Sequence, residues 1–285
     1  MILFDERPTF EVAWALTDFH VIMGGMGDDT AMMIAEMYER GYEPDEIVFC
    51  DTGSEFKHTY EFISRLQSWC AEKNWSKVVV LKKLDANGDP LSVIATVERD
   101  KTLPPPAFGK KSCSARFKTE TGDLYFNNHP KAWKAWGAPG KGKRLDSHKG
   151  VILRAVGINA DEPGRAAKWS PQHKWVQVFP LVDWDIGERE STAVGRVGLY
   201  YPGKSSCICC PNLTGGELAM LRDDYPEDFQ RIVNIEKVYQ ENQMTPDSTT
   251  IGLFRSQTIA MKLEAYDRNP RMCTSLEQDK CQECS

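Results

Sequence analysis

The hydrophobic pattern of the chain alternates between short apolar runs and longer segments with helical periodicity. Apolar runs at residues 20–23, 46–50, 77–81 and 151–158 predict strands. Residues 31–40, 60–69 and 91–97 instead repeat apolar positions at helical spacing. Strands that alternate with helices favour parallel pairing with right-handed crossovers. The pattern therefore predicts an α/β fold built on a doubly wound, mostly parallel, Rossmann-like sheet.

The second part of the chain has a different pattern. After residue 181 the sequence becomes irregular and passes through a cysteine cluster, and helical periodicity returns around residues 217–221, 228–240 and 256–267. We therefore expect an α/β domain over residues 1–200, with a weakly periodic basic insertion at about 101–150. We also expect residues 201–285 to form a C-terminal helical region, which carries the cysteine motif and the tail.

Charge is unevenly distributed along the chain. The 285 residues carry a net charge of −6, yet residues 109–154 hold eleven Lys and Arg against three acidic residues, so that segment is +8 and the rest is −14. The overall charge argues against general adhesion to nucleic acid. The basic segment indicates either a local anionic ligand or a solvated lysine-rich loop.

Composition also bears on the compartment. No stretch approaches the ~18 apolar residues of a membrane span. The nine cysteines are an odd number and amount to only about 3% of the chain, which favours a reducing compartment. We expect a cytoplasmic protein without a membrane partner.

A glycine-rich turn joins the first predicted strand to the first long predicted helix. Residues 24–30 read GGMGDDT, and such a turn directs backbone N–H groups and the positive end of a helix dipole at one spot, where phosphate binds. The segment matches neither the dinucleotide fingerprint nor the Walker loop. An alternative interpretation is that the glycines only let the helix pack closely on the strand.

Six segments in the same order resemble the phosphoadenosine phosphosulfate (PAPS) reductase family of the adenine nucleotide alpha-hydrolase-like superfamily. Residues 21–32 (VIMGGMGDDTAM) resemble its pyrophosphate-binding PP-loop, and residues 47–63 resemble its second strand and helix. The others are residues 113–118 (CSARFK), 156–165 (VGINADEPGR), 180–184 (PLVDW) and 206–212 (SCICCPN). They span most of residues 20–240, and a C-x-x-C-P pattern like that at residues 207–211 occurs in many phage and bacterial relatives of the family.

This resemblance implies a site for an adenine nucleotide, either ATP or PAPS. The implied nucleotide-binding residues are Gly24, Gly25, Met26, Gly27 and Thr30 in the loop, Asp51, Thr52 and Gly53 after the second strand, and Glu162 and Arg165 after the fourth. Asp28 and Asp29 are the implied catalytic residues of the loop. Two alternatives to a nucleotide contact stay open. Asp51 caps the following turn, and Glu162 only orients Arg165.

The loop departs from the family pattern in its charge. Gly27 and Asp29 stand where the family has Lys and Ser, so a cation is missing and a carboxylate is added. Like charges ~4 Å apart repel by around 4 kcal/mol at an effective dielectric of about 20. We expect either Mg2+ at Asp28 and Asp29 or the side chains of Lys110, Lys111 and Arg116 to supply the missing charge.

Several cysteines are candidates for metal or redox chemistry. Cys207 and Cys210 in a C-x-x-C-P pattern indicate two thiolates on one turn, with Cys113 and Cys281 as further ligands of a [4Fe–4S] cluster. Zinc at the same residues and no metal at all are the alternatives. Cys284 follows Glu283, as in the late E-C-G-x-H motif of the assimilatory reductases, but the glycine and histidine are absent.

Two classes of function follow. The first is an enzyme that cleaves ATP between the α and β phosphates to activate a substrate or transfer sulfur, or that reduces a sulfonucleotide. Its acceptor is a small molecule, a nucleic acid or a protein, in a bacterium or a phage-infected cell, and an oligomer is compatible with the sequence. The second class is a non-catalytic nucleotide- or protein-binding relative that has lost the loop cation.

Overall fold

The computed structural model describes residues 4–110, 112–137 and 150–269. The chain divides into two compact units. The first comprises residues 1–50, 57–81 and 122–205, and the second comprises residues 51–56, 82–121 and 206–285. The unit change at 205/206 lies near the expected boundary at residue 200, whereas residues 82–121 group with the C-terminal region.

The first unit is built on a five-stranded parallel sheet. The strands are β1 (His20–Met23), β2 (Glu46–Asp51), β3 (Lys77–Lys82), β4 (Ile152–Ala155) and β5 (Trp175–Val178). Their order is β3-β2-β1-β4-β5, with β1 paired in parallel to both β2 and β4, and β4 to β5. The predicted α/β, Rossmann-like fold with a parallel sheet is thereby confirmed.

Helices cover both faces of this sheet. The longer ones are α1 (Phe10–Ala15), α2 (Asp28–Glu39), α3 (Lys57–Lys73), α5 (Glu120–Asn127) and α6 (Pro130–Trp136), and the short ones are α7 (Pro163–Ala166), α8 (Pro180–Asp183) and α9 (Ala193–Arg196). Ile22 and Leu153 belong to the core that contains α2, whereas Val21 and Ile152 belong to the core that contains Trp136 of α6. Successive strand residues point to opposite faces, so a sheet covered on both sides needs continuous apolar strands.

The second unit is mainly helical. It contains α4 (Val93–Arg99), a 3-10 turn (Pro105–Phe108), a π-helical turn (Ser114–Thr119), α10 (Gly215–Asp224), α11 (Pro226–Asn242) and α12 (Ile259–Arg268). Its core joins apolar side chains of α4, α10, α11 and α12. A short antiparallel bridge pairs Glu55, which follows β2, with Cys207 of the cysteine motif.

Several elements of the fold lie where the sequence pattern predicts none. Among them are helix α1, strand β5, and helices α5 and α6, which fall within the predicted basic insertion. In the structure Phe126, Ala132 and Trp136 are buried against the sheet, so α5 and α6 form part of the β3-to-β4 crossover. No helix within residues 4–110, 112–137 or 150–269 is long and apolar enough to cross a bilayer.

Candidate functional site

The candidate site lies at the carboxyl ends of β1 and β4. The chain runs from β1 outward through β2 and β3, then returns to the other side of β1 with β4 and continues to β5. In an open α/β sheet the crevice at such a reversal of strand order is the usual ligand site. The glycine turn follows β1 and residues 156–166 follow β4, so the topology brings together two segments that the sequence had singled out.

The glycine turn is tightly packed. Gly24 N–H donates to the Val48 carbonyl at 3.2 Å, and Met26 is buried with a left-handed φ of 63°. Gly27 is the N-cap of α2, without a side-chain cap. A Cβ on Gly24 would lie 2.5 Å from Cγ2 of the buried Thr30. The turn therefore needs glycine at position 24 for packing. This agrees with the alternative interpretation, in which the glycines only let the helix pack closely on the strand.

Residues 203–205 lie against the other two glycines. A Cβ on Gly25 would meet only the Ser205 side chain, with Oγ at 2.8 Å. A Cβ on Gly27 would meet the backbone, with the Ser205 nitrogen at 2.9 Å and the Gly203 oxygen at 3.1 Å. Position 27 is thus closed by main chain, whereas position 25 is restricted by one small side chain.

Asp28 has partners that the sequence did not predict. Its Oδ2 accepts from Arg189 Nε at 2.6 Å, and its Oδ1 accepts from the Gly203 N–H at 2.6 Å. The Asp28 N–H in turn donates to the Gly203 carbonyl at 3.1 Å. Hydrogen bonding to Asp28 raises the pKa of Arg189. Arg189 therefore supplies a cation beside the loop, 161 residues away in sequence, where no local motif marks it.

Asp29 connects the two strand ends. Its Oδ1 accepts from Asn159 Nδ2 at 3.1 Å, and Gly157 approaches so closely that a Cβ there would lie 3.0 to 3.1 Å from Asp29. Burial raises the pKa of Asp29 to about 6, and the carboxylates of Glu162 and Glu188 add to this effect. A carboxyl group with such a pKa exchanges its proton near neutral pH.

This pKa predicts a pH dependence of stability for Asp29→Asn. Because the folded-state pKa lies above the ordinary value of 3.8, ionised Asp29 costs stability, and the contribution of Asp29 to the wild-type free energy of unfolding should fall as the pH rises from about 4 to about 6. The variant should lack this decrease and exceed wild type by roughly 1–3 kcal/mol above that window. Urea unfolding across the pH range measures it, with the exposed Asp18→Asn as control. Coincident profiles for wild type and Asp29→Asn would show that burial of this carboxyl group has no energetic weight.

Glu162 and Arg165 form an ion pair just after β4. Arg165 Nη1 lies 2.5 Å from Glu162 Oε2, and both side chains are partly buried. Arg165 also acts electrostatically on Asp29, which places its guanidinium at the site. The contact is the one expected if Glu162 orients Arg165.

The other predicted nucleotide-binding residues belong to the second unit. Asp51 Oδ1 accepts from the Gly53 N–H at 2.7 Å, and Asp51 Oδ2 lies 3.5 Å from Lys82 Nζ. The contact with the Gly53 N–H is the one expected if Asp51 only caps the following turn. Thr52 donates to Glu55 at 2.9 Å. Lys110 and Arg116 are also in this unit, and Lys111 lies outside the described residues.

Cys113, Cys207, Cys209 and Cys210 pack on one apolar core of the second unit. Cys207 Sγ lies 3.1 Å from Thr52 Oγ1 and 3.8 Å from Glu55 Oε1. Burial raises the pKa of Cys113 to about 11, and the neighbouring Cys210 adds to this effect. Burial likewise raises the pKa of the Cys207 thiol well above its ordinary value.

Within residues 4–110, 112–137 and 150–269, no three His, Cys, Asp or Glu side chains are grouped to hold a metal ion. Asp28 is already engaged by Arg189 and Gly203. The predicted ligand Cys281 and the predicted catalytic Cys284 lie outside the described residues. The cluster, zinc and magnesium stay predictions.

The candidate site thus combines the glycine turn, the ion pairs Asp28–Arg189 and Glu162–Arg165, and the carboxyl group of Asp29, whose pKa is raised. All of these groups lie within the first unit. Comparison with known proteins adds no family to this description. No protein-family model matches the sequence, and no curated protein is significantly similar to it.

Proposed function

We propose that the first unit binds an adenine nucleotide at the carboxyl ends of β1 and β4, and that the chain is a distant PAPS reductase-like protein of the PP-loop type. The observation that carries the proposal is the 3.1 Å hydrogen bond between Asn159 and Asp29 at the reversal of strand order. It joins the glycine turn to the segment after β4, the two segments for which the family resemblance implies nucleotide contacts.

The phosphate-binding groups would come from the turn and from Arg165. Backbone amides at a helix N-terminus attract phosphate oxygens, and α2 begins directly after Gly27. A guanidinium binds two oxygens of one phosphate in a fork. Arg165, already oriented by Glu162, fits that role.

The acidic residues are compatible with an anionic ligand because most of them are partnered. Arg189 and the Gly203 amide engage Asp28, and Arg165 engages Glu162. The raised pKa of Asp29, about 6, increases the fraction of protonated carboxyl group as the pH falls toward that value. In this proposal Arg189 supplies the positive charge beside the loop and balances Asp28. The family instead has a lysine within the loop, at the position of Gly27.

The reaction that suits this arrangement is cleavage of ATP between the α and β phosphates. An acceptor nucleophile would attack the α-phosphorus, the bond to the bridging oxygen would break, and pyrophosphate would leave with the electron pair. Arg165 and the turn amides would stabilise the developing negative charge. Asp29 would accept the proton of the nucleophile, since a general base works best with a pKa near the operating pH. A small molecule, nucleic acid or protein is the acceptor in this proposal.

Calorimetric titration with ATP in the presence of magnesium tests the proposal, with Arg165→Met as the informative variant. We expect wild type to bind, and the variant to bind about tenfold or more weakly because a charged hydrogen bond contributes roughly 1.5–3 kcal/mol. Arg196→Met is the matched control, since Arg196 is another ion-paired arginine of the first unit. Failure of wild type to bind ATP, PAPS or AMP would refute the nucleotide site.

Pyrophosphate release distinguishes the catalytic proposal from its alternative. Binding accompanied by pyrophosphate formation with any acceptor supports the activating enzyme. Binding of ATP without pyrophosphate, across small amines, thiols and nucleic acids, would favour the non-catalytic nucleotide-binding protein.

A further inference from the structure

Arg189 is held against the start of α2 by a single carboxylate. Its Nε donates to Asp28 Oδ2 at 2.6 Å, and the other oxygen of Asp28 accepts from the Gly203 N–H at 2.6 Å. The Asp28 side chain is only 12% exposed, whereas the Arg189 side chain is 57% exposed. Asp28 therefore fixes one edge of the guanidinium at the site, and the rest of the group stays accessible to solvent.

The loop that carries Arg189 is anchored on both sides of it. The Glu188 N–H donates to Asp161 Oδ2 at 2.7 Å, which ties the loop to the segment after β4. Within the loop, the Gly187 N–H donates to Glu190 Oε2 at 2.9 Å. Arg189 itself has a left-handed φ of 54°, a conformation that costs free energy for a residue with a side chain and persists only where the surroundings impose it. The fold thus fixes the position of this arginine.

The terminal nitrogens of Arg189 are the part of the side chain that the fold does not use. In the portion of the chain that the structure describes, the guanidinium donates a hydrogen bond through Nε, and neither Nη1 nor Nη2 donates one. The Tyr201 ring, whose centre lies 6.0 Å from the guanidinium carbon, flanks the group. With Nε occupied, Nη1 and Nη2 still form a fork that can bind two oxygens of one phosphate.

The surroundings of this fork favour a phosphate chain. Asp28 is the first residue of α2, where the positive end of the helix dipole attracts anions. The negative charge of Asp28 is compensated by two donors, Arg189 and the Gly203 N–H. Arg165 acts electrostatically on Asp29, the next residue of the turn. One arginine is thus beside Asp28 and the other beside Asp29, which suits a chain of several phosphates better than a single phosphate.

We propose that Arg189 binds the β and γ phosphates of the nucleotide through Nη1 and Nη2, so that the site selects a triphosphate over a monophosphate. This inference rests on the proposed nucleotide site and adds to it the residue that holds the departing pyrophosphate. In the proposed cleavage, Arg165 stays with the α phosphate beside the base Asp29, and Arg189 neutralises the charge that the leaving group gains.

Calorimetric titration of Arg189→Met with ATP, AMP and inorganic pyrophosphate tests this assignment. The variant should bind ATP and pyrophosphate at least about tenfold more weakly than wild type, because charged hydrogen bonds are lost. Its affinity for AMP should change by no more than about twofold, because AMP has no β or γ phosphate for the fork to bind. Arg196→Met is the matched control and should bind all three ligands as wild type does, since Arg196 is also 57% exposed and pairs with Glu39 of α2.

Two further variants separate direct contact from charge balance. Arg189→Lys keeps the charge but not the fork, so it should also lose most of the affinity for pyrophosphate. Adding Asp28→Asn to Arg189→Met should restore little of the lost affinity. A return to the wild-type level would show that Arg189 only compensates the Asp28 carboxylate, and it would overturn the proposal. Thermal unfolding of each variant checks that the fold is retained.

The remaining outcomes separate this inference from the nucleotide site itself. Equal affinities of wild type and Arg189→Met for ATP and pyrophosphate, or a loss for AMP as large as that for ATP, would overturn the role of Arg189 and leave the nucleotide site in place. Binding of pyrophosphate that depends on Arg189, without binding of ATP or AMP, would refute the nucleotide site alone. Wild type that binds none of the three ligands would overturn both.

Discussion

Replacing Gly25 and Ser205 together by alanine is expected to weaken ATP binding by about 100-fold while leaving the fold intact. A Cβ at position 25 meets the Ser205 Oγ at 2.8 Å, and the next atom, the Ser205 Cβ, is 3.9 Å away. Removing the hydroxyl therefore removes the clash. The added methyl group then stands where the phosphate must approach the turn amides, and the loss of such charged hydrogen bonds accounts for roughly 1.5–3 kcal/mol.

Single variants separate packing from binding in this pair. Ser205→Ala should bind ATP as wild type does, and Gly25→Ala alone should lose stability as well as affinity. The measurements are calorimetric titration with ATP and thermal unfolding of each variant. If the double variant bound ATP normally, the glycine at 25 would serve only to let residues 203–205 pack, as the alternative interpretation of the turn holds.

Gly252→Ala is expected to lower the free energy of unfolding by about 3 kcal/mol or more. A Cβ at this position would lie 2.5 Å from Glu236 Oε2, 2.7 Å from the Thr258 Cα and 2.8 Å from the Gln257 oxygen. Two of these atoms are backbone and cannot move alone. The Glu236 carboxylate accepts from the Leu253 N–H at 2.7 Å and from the Ile259 N–H at 3.1 Å. Overpacking costs about 1–3 kcal/mol and displacing a buried, hydrogen-bonded charge adds to it.

Scanning calorimetry of the whole chain measures this loss. Gly216→Ala is the matched control in the same unit, because its Cβ would meet Tyr266 only at 3.6 Å or more. Alanine should be neutral or stabilising there, since glycine costs roughly 0.5–1 kcal/mol within a helix. Equal unfolding temperatures for the two variants would contradict the close packing around Glu236.

Continuous apolar runs made the sheet predictable from the sequence. Strands buried on both faces, such as β2, give an unbroken apolar signal, and the glycine turn marks the start of α2. Helices α5 and α6 were not predicted because charged and aromatic residues are mixed in them, and their burial depends on the sheet face they meet. Helix α1 has only six residues, too few to show periodicity.

The candidate site was predictable only where its residues are local in sequence. The turn and the segment after β4 were identified, and the Asn159–Asp29 hydrogen bond brings them together. Arg189 could not be predicted, because its contact with Asp28 depends on the tertiary fold.

The most direct measurement of the central claim is the response of the turn amides to ATP. In 15N–1H spectra of the full chain, the signals of Gly25 and Gly27 should shift saturably with a single dissociation constant, and the signal of Gly252 should stay unchanged. Amides that donate to phosphate oxygens must change their chemical shifts. Unchanged signals from the turn at ATP concentrations that saturate any calorimetric binding would contradict the assignment of this turn as the phosphate site.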